Sequence, residues 1–218
     1  SSIAFSEAEN VVVATDPSGA ESGRFAPERV PEFLEIIREP WTYLPFVHER
    51  AKSWEGPVSA RTEGLFFVGP LARLNRCRPF DTPLAEEERQ RLVSFLGPPP
   101  LFNAIAGYWS MIVELIGSAE EAENLFSQES LSGAEIRVVG TDPGRSGLAA
   151  FEAPEGFVFH RYEVDERGLV EEVTILDAAS QNNSLRSILT QKASEEAMAR
   201  EESWEEAKNS MERSLVPF

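Results

Sequence analysis

Cysteine is nearly absent: Cys77 is the single one in 218 residues. That excludes an intrachain disulfide framework, which needs pairs, and it fits a reducing compartment. The flanking Arg76 and Arg78 would favour a thiolate at Cys77, although a plain structural cysteine is the simpler reading. Histidine is as scarce. His48 and His160 lie far apart in the chain, so no close-spaced set of nitrogen and sulfur ligands marks a zinc site. Cations are few, with 20 Lys and Arg against 37 Asp and Glu, for a formal charge of −17. Nucleic acid demands a basic footprint, and none is present. An anionic membrane surface is disfavoured for the same reason. No apolar run reaches about 18 residues, so no membrane insertion is expected. The opening Ser1-Ser2-Ile3-Ala4-Phe5 lacks the basic region and apolar core of a secretory signal. A cytoplasmic protein is the expectation.

What is present is the composition of a globular domain, 42% hydrophobic and 26% charged, read as one unit over residues 1–218. The acidity serves solubility and would suit a basic partner. Residues 10–15 carry a β-branched run stopped by Asp16-Pro17-Ser18-Gly19, which predicts a strand. Pro27 suits a first helical position. Val30, Phe33, Leu34 and Ile37 share one helical face, so a helix is expected as far as Pro40. Residues 63–68 read as a strand and 84–96 as a helix, with Pro83 before it, Glu86, Glu87 and Glu88 in its first turn and Arg89 and Arg91 later, the order a helix dipole favours. After Gly97-Pro98-Pro99-Pro100, residues 101–126 read as one long, mostly buried helix. Residues 136–139 read as a short strand and 141–147 as a loop. Residues 157–164 and 169–176 form the clearest hairpin, turned by Asp165-Glu166-Arg167-Gly168, with alternation at Val158, His160, Tyr162 and Val164. Asn182-Asn183-Ser184 is expected to cap a last long helix. Leu185, Ile188 and Leu189 form its first apolar face, and residues 194–213 its acidic, solvated continuation. The sequence predicts an α+β fold, helix-dominated, with one small antiparallel hairpin sheet.

Six blocks resemble, in order, segments of the nickel–iron hydrogenase large subunit. They are Trp41-Thr42-Tyr43-Leu44-Pro45-Phe46; Phe67-Val68-Gly69-Pro70-Leu71-Ala72-Arg73-Leu74-Asn75; Asp81-Thr82-Pro83-Leu84-Ala85; Phe151 through Tyr162; Val164 through Val170; and Thr174 through Asn183. They span the chain from about Phe5 to Leu189 and resemble the family's cytosolic, cofactor-coupled branch. The second block is the most specific. The resemblance implies a large-subunit-like domain, truncated and degenerate, because both Cys-x-x-Cys pairs that hold the metals are missing. It also implies that the Gly69–Asn75 and Phe151–Phe157 stretches face the former metal cleft. At Phe151-Glu152-Ala153-Pro154-Glu155-Gly156-Phe157 the family carries arginine after proline, whose guanidinium hangs over the metals. Here Glu155 reverses that charge and, ionised, cannot donate. Where the family has a hydroxyl residue bonding an iron-bound cyanide, this chain has Ala179, with Ser180 next door. Pro154, Glu155 and Ala179 are thus expected to be vestigial positions, with no catalytic, cofactor-binding or metal-binding residue.

Two readings follow from the resemblance. One is a non-catalytic component of a multi-subunit redox complex, binding no cofactor itself and docking a hydrogenase small-subunit-like iron–sulfur protein that carries the clusters. The aromatic 41–46 stretch is its candidate contact surface. The alternative is one piece of a split hydrogenase whose metal-binding cysteines lie elsewhere. Other chemistry has less behind it. Glu152 and Glu155 could pair for acid–base work, but nothing else points to a hydrolase. Gly144-Arg145-Ser146-Gly147 has neither a P-loop nor a dinucleotide fingerprint.

Overall fold

The computed structural model describes residues 1–57, 63–76, 78–128 and 144–218. Among them the fold is α+β, with three antiparallel sheets and six α-helices. The first sheet is a meander of β1 (Ser2–Ser6), β2 (Val11–Thr15) and β3 (Glu21–Phe25). A 3₁₀ turn at Pro27–Arg29 leads into α1 (Val30–Phe33), and β4 (Leu34–Ile37) pairs with β5 (Phe46–Glu49) in a second, two-stranded sheet. Three helices follow: α2 (Pro70–Leu74), α3 (Pro83–Leu96) and α4 (Ala104–Phe126). The third sheet is built from β6 (Ser146–Ala153), β7 (Gly156–Val164) and β8 (Val170–Leu176), and the chain closes with α5 (Ala178–Ala199) and α6 (Trp204–Leu215).

The helix expected up to Pro40 stops at Phe33, because Leu34–Ile37 finds an antiparallel partner in Phe46–Glu49, with Glu35 opposite His48. The one-face pattern that suggested a helix is satisfied by a strand that still buries Leu34. Residues 63–68 form no strand. Only Phe67 bridges Ser2, with Ile3 N donating to Phe67 O at 2.9 Å. The predicted strand at 136–139 and the loop start at 141–143 lie outside the described residues, and β6 begins at Ser146. The expected hairpin is present as β7 and β8, and β6 extends it to three strands. Its visible alternation marks the outward face: Tyr162 is half-exposed, whereas the fully buried positions are Phe157 and Phe159.

Helix starts follow local chemistry. Asn103 accepts from Ala106 N at 2.8 Å to cap α4, and Asp177 accepts from Ser180 N at 2.7 Å to cap α5. The expected cap at Asn182-Asn183-Ser184 therefore lies inside α5. The acidic continuation is broken at Glu201, with φ of 55°. Ser203 and Glu206 then form a reciprocal capping box that restarts the chain as α6.

Two apolar clusters hold the elements together. One joins Ile3, Phe5, Val12, Val30, Leu34 and Val47 to Phe157, Phe159 and Leu176, so it binds all three sheets. The other joins Phe67, Leu71 and Leu74 to Ala85, Leu92, Leu101, Ala106 and Val113 between α2, α3 and α4. Phe66–Val68 passes between them and contributes to both. Replacing Asp177 by Ala is expected to lower stability by about 1 kcal/mol, the usual cost of a lost N-cap, read as a shift in the urea midpoint at constant slope.

Candidate functional site

A part-buried polar junction is centred on Arg73 in α2. Its Nε and Nη2 donate to Glu114 of α4 at 2.6 and 2.5 Å. Nη1 donates to Glu152 of β6 at 2.5 Å and to Ala153 O at 3.0 Å, and Nη2 also reaches Pro154 O at 2.8 Å. All five guanidinium N–H groups are thus used, a match to a rigid fork that lysine could not reproduce. Glu152 is further bound by Phe5 N in β1. One side chain ties a helix pair to the third sheet and, through Glu152, to the first.

Burial works against the charge on Arg73, but the hydrogen bonds and charges of Glu114 and Glu152 outweigh it and hold its pKa above the ordinary value. Burial pushes the Glu152 carboxyl up, and the charge of Arg73 and the Phe5 N–H only partly pull it back. The pair is therefore a costly one, tolerated because each partner is fully bonded.

Around this junction the sequence blocks converge. Gly69 (φ 113°) opens α2, and a Cβ there would lie 2.9 Å from Glu155 O. Gly156 (φ 143°) follows the hairpin tip, and its Cβ would lie 2.5 Å from Val68 Cγ2. Two backbones touch here because neither residue has a side chain. Asn182 of α5 clamps the same loop, accepting from Val68 N at 2.9 Å and donating to Val68 O at 3.2 Å. Asn75 clamps Leu101 in the same two-point way, at 2.8 and 3.0 Å. Gln181 Nε2 donates to Phe157 O at 2.5 Å.

Pro154 and Glu155 form the exposed two-residue tip between β6 and β7, where Ala153 pairs with Gly156. Ala179 is half-buried in the first turn of α5, and Ser180 is buried beside it. The two stretches expected to face a cleft pack against each other instead. A cavity of about 530 Å³ lies elsewhere, between α5 and Phe66–Phe67, and none of Pro154, Glu155 and Ala179 lines it. His48 is buried, with Nε2 3.0 Å from Glu63 O, while His160 faces Tyr162 and Phe151 on the third sheet. Sequence reasoning missed Arg73, Glu114 and Asn182 as the organising residues. Arg73 had a signal, a charge inside the most specific block, and Asn182 one as an amide in the 174–183 block; Glu114 lies in none of the blocks.

No protein-family model matches the chain. It is 29% identical over 186 residues, 84% of its length, to the iron-sulfur subunit of the F420-non-reducing hydrogenase of Archaeoglobus profundus, of which it covers 37%. It is 30% identical over 169 residues to a vhu subunit of the F420-non-reducing hydrogenase of Methanocaldococcus jannaschii, covering 76% of this chain and 38% of that one. It is 28% identical over 157 residues to the beta subunit of the NAD-reducing hydrogenase HoxS of Cupriavidus necator, 70% of this chain and 30% of that one. The chain thus spans well under half the length of these curated relatives. Its fold matches a chain of the NAD+-reducing NiFe-hydrogenase in the H2-reduced state with a TM-score of 0.85 at 23% identity, over 99% of this chain and 48% of that one.

These findings correct two expectations. The relatives are hydrogenase subunits, but the assignment to the nickel–iron large subunit does not stand: the relative matched over 84% of this chain is named an iron–sulfur subunit. The blocks that suggested it are, in this structure, backbone-packing elements at Gly69, Gly156 and Asn182, and these report a fold rather than a metal centre. The expectation that this chain binds no cofactor, with clusters only in a partner, falls on the same name, because the iron–sulfur label belongs to a relative of this chain itself. The residues in hand do not fit a cluster by themselves. Such clusters are held by four thiolates, the chain has one cysteine, and among the described residues no group of three His, Cys, Asp or Glu could hold a metal. Cys77 lies outside the described residues. Among those residues no helix is long and apolar enough to cross a membrane.

Arg73→Met is expected to cost about 3–5 kcal/mol, the price of stranding a buried partner. Without Arg73 the Glu152 pKa rises further. A carboxyl raised in the folded state loses stability as pH rises through it, so the deficit relative to the native chain should shrink as pH falls from 7 to 4 in paired urea titrations. Gly156→Ala should cost about 2–4 kcal/mol through strain and overpacking, a loss visible in the thermal midpoint.

Proposed function

We propose that this chain is an architectural component of a multi-subunit, hydrogenase-type redox complex, non-catalytic itself and serving the electron-transfer side of that assembly. The observation that carries this reading is the 29% identity over 84% of the chain to a hydrogenase subunit, beside which the fold likeness at a TM-score of 0.85 stands as agreement in fold. Pro154, Glu155 and Ala179 are proposed as vestigial positions. Glu155 is a carboxylate at an exposed turn, a place where a charge is solvated and no reacting group is held. Trp41 and Tyr43, 65% and 100% exposed, are proposed as part of the contact surface. The rest of the 41–46 stretch turns inward, with Phe46 packed between Trp41 and Trp54.

Purification from source cells through a tag on this chain is expected to recover hydrogenase-type subunits in fixed stoichiometry, with iron and acid-labile sulfide. Recovery of the chain alone, or with no redox subunit, overturns the reading. Glu155→Arg, which puts an arginine where the resemblance in the sequence expected one, is expected to leave stability within about 0.5 kcal/mol and to yield no hydrogen-dependent dye reduction. A gain of that activity would show that the position is not vestigial.

A further inference from the structure

Helix α4, expected from the sequence to be mostly buried, leaves Leu115 70% and Phe126 85% exposed. A single helix face has no walls that would define an occupant. The cavity of about 530 Å³ between α5 and Phe66–Phe67 has them, and its volume is that of a small-molecule site. Its walls come from segments far apart in the chain. On one side α5 presents Leu185, Ile188 and Leu189, and Lys192 continues the same helical stripe to the rim. At the floor Phe67 meets Phe102 and Phe218 edge to face, with ring centroids 5.9 and 5.5 Å away. Leu185, Ile188 and Leu189 are only half-buried and Phe102 is 46% exposed. Apolar surface inside the cavity therefore stays wetted, a penalty that an apolar occupant would remove.

The rim carries both signs of charge. Lys192 comes from α5, while Glu49, Lys52 and Glu63 come from the end of β5 and the segment beside it. Glu49 N donates to Gly64 O at 3.2 Å. A Cβ on Gly64 would lie 2.7 Å from Lys52 Cβ, so Lys52 stands against the Glu63–Gly64 segment. Among the described residues Lys52, Glu63 and Lys192 make no side-chain hydrogen bond or ion pair, and Glu49 has only the charge of the Ser1 ammonium near it.

We propose that this cavity binds a single-chain amphiphile with a zwitterionic head. The chain lies between the α5 stripe and the aromatic floor, and the head meets the lysines and glutamates of the rim. The assignment goes beyond the subunit reading and does not depend on it. The apolar walls select the tail. The rim selects the head. A purely anionic head meets Glu49 and Glu63, and a purely cationic one meets Lys52 and Lys192. A head with both signs pairs its anion with the lysines and its cation with the carboxylates, so that like charges stay apart. Lys52, Glu63 and Lys192 are exposed, so the head contributes a modest selectivity and the tail most of the affinity.

The test is calorimetric titration of the full chain with dodecylphosphocholine below its micelle concentration, beside dodecanoate and dodecyltrimethylammonium, which carry single-sign heads. The expected result is saturable one-to-one binding of dodecylphosphocholine, roughly threefold or more tighter than either single-sign compound, the scale of exposed charge pairs. Ile188→Trp, which fills the cavity, should weaken binding of all three by about tenfold or more, with the circular dichroism spectrum and thermal midpoint retained. Should that variant lose its fold, Leu189→Phe gives the same readout at smaller amplitude. Lys192→Glu should shift the preference toward dodecyltrimethylammonium, a change that a merely structural lysine would not produce. No saturable binding, equal binding of the three heads, tighter binding of a single-sign head, or an affinity indifferent to Ile188→Trp overturns the proposal. Sedimentation of the chain with phosphatidylcholine vesicles would place the head group in a membrane and overturn the single-chain assignment. Polypeptide filling the cavity in a cryo-electron microscopy map of the assembly purified from source cells would overturn it as well.

Discussion

The guanidinium of Arg73 is the point on which the arrangement of sheets and helices depends. Apolar burial could bring α2 near the third sheet in many registers, because such contacts are not directional. A planar cation with five donors is directional. It accepts only an arrangement in which Glu114, Glu152 and the carbonyls of Ala153 and Pro154 all point at one place. Pairs of this kind add little net stability, since desolvation consumes most of the Coulombic gain. Their contribution here is to penalise every other packing by an unpaired buried charge.

That directional constraint explains why the neighbouring residues have so little freedom. With the hairpin tip held by Arg73, the Val68–Gly69 backbone and the Glu155–Gly156 backbone must meet, and only glycine leaves room for them. Asn182 then satisfies both polar groups of Val68, which are otherwise stranded between two cores. Three of the blocks, residues 67–75, 151–162 and 174–183, are thus parts of the chain that touch one another. Their persistence in a stretch with a single cysteine is accounted for by packing, with no appeal to a metal.

Elements whose signals are local were legible in the sequence. The helix Pro83–Leu96 begins where proline and acids place it, and the β7–β8 hairpin turns where Asp165 and Gly168 do. Elements defined by distant partners were not. Leu34–Ile37 is a strand because Phe46–Glu49 lies beside it, and nothing in its own spacing separates that from a helix face. The start of α5 was misread because three consecutive polar residues resemble a cap, while the single Asp177 upstream does the capping. At the site, Glu155 and Ala179 stood out only against the large-subunit pattern that the relatives overturn. The role of Arg73 could not be read at all, since its four partner residues come from two stretches far from it in the chain, Glu114 and residues 152–154.

The acidic excess and the exposed apolar face of α4 bear on each other. Many carboxylates are consumed internally: Glu86 is held by Arg89 with its pKa pulled down to about 2, and Glu114 and Glu152 by Arg73. The surplus of acids remains on the surface, where like charge opposes the approach of a second copy. A long apolar helix face would ordinarily drive self-association. The fold resolves its buried polar junction with one arginine and leaves an apolar face of α4 exposed.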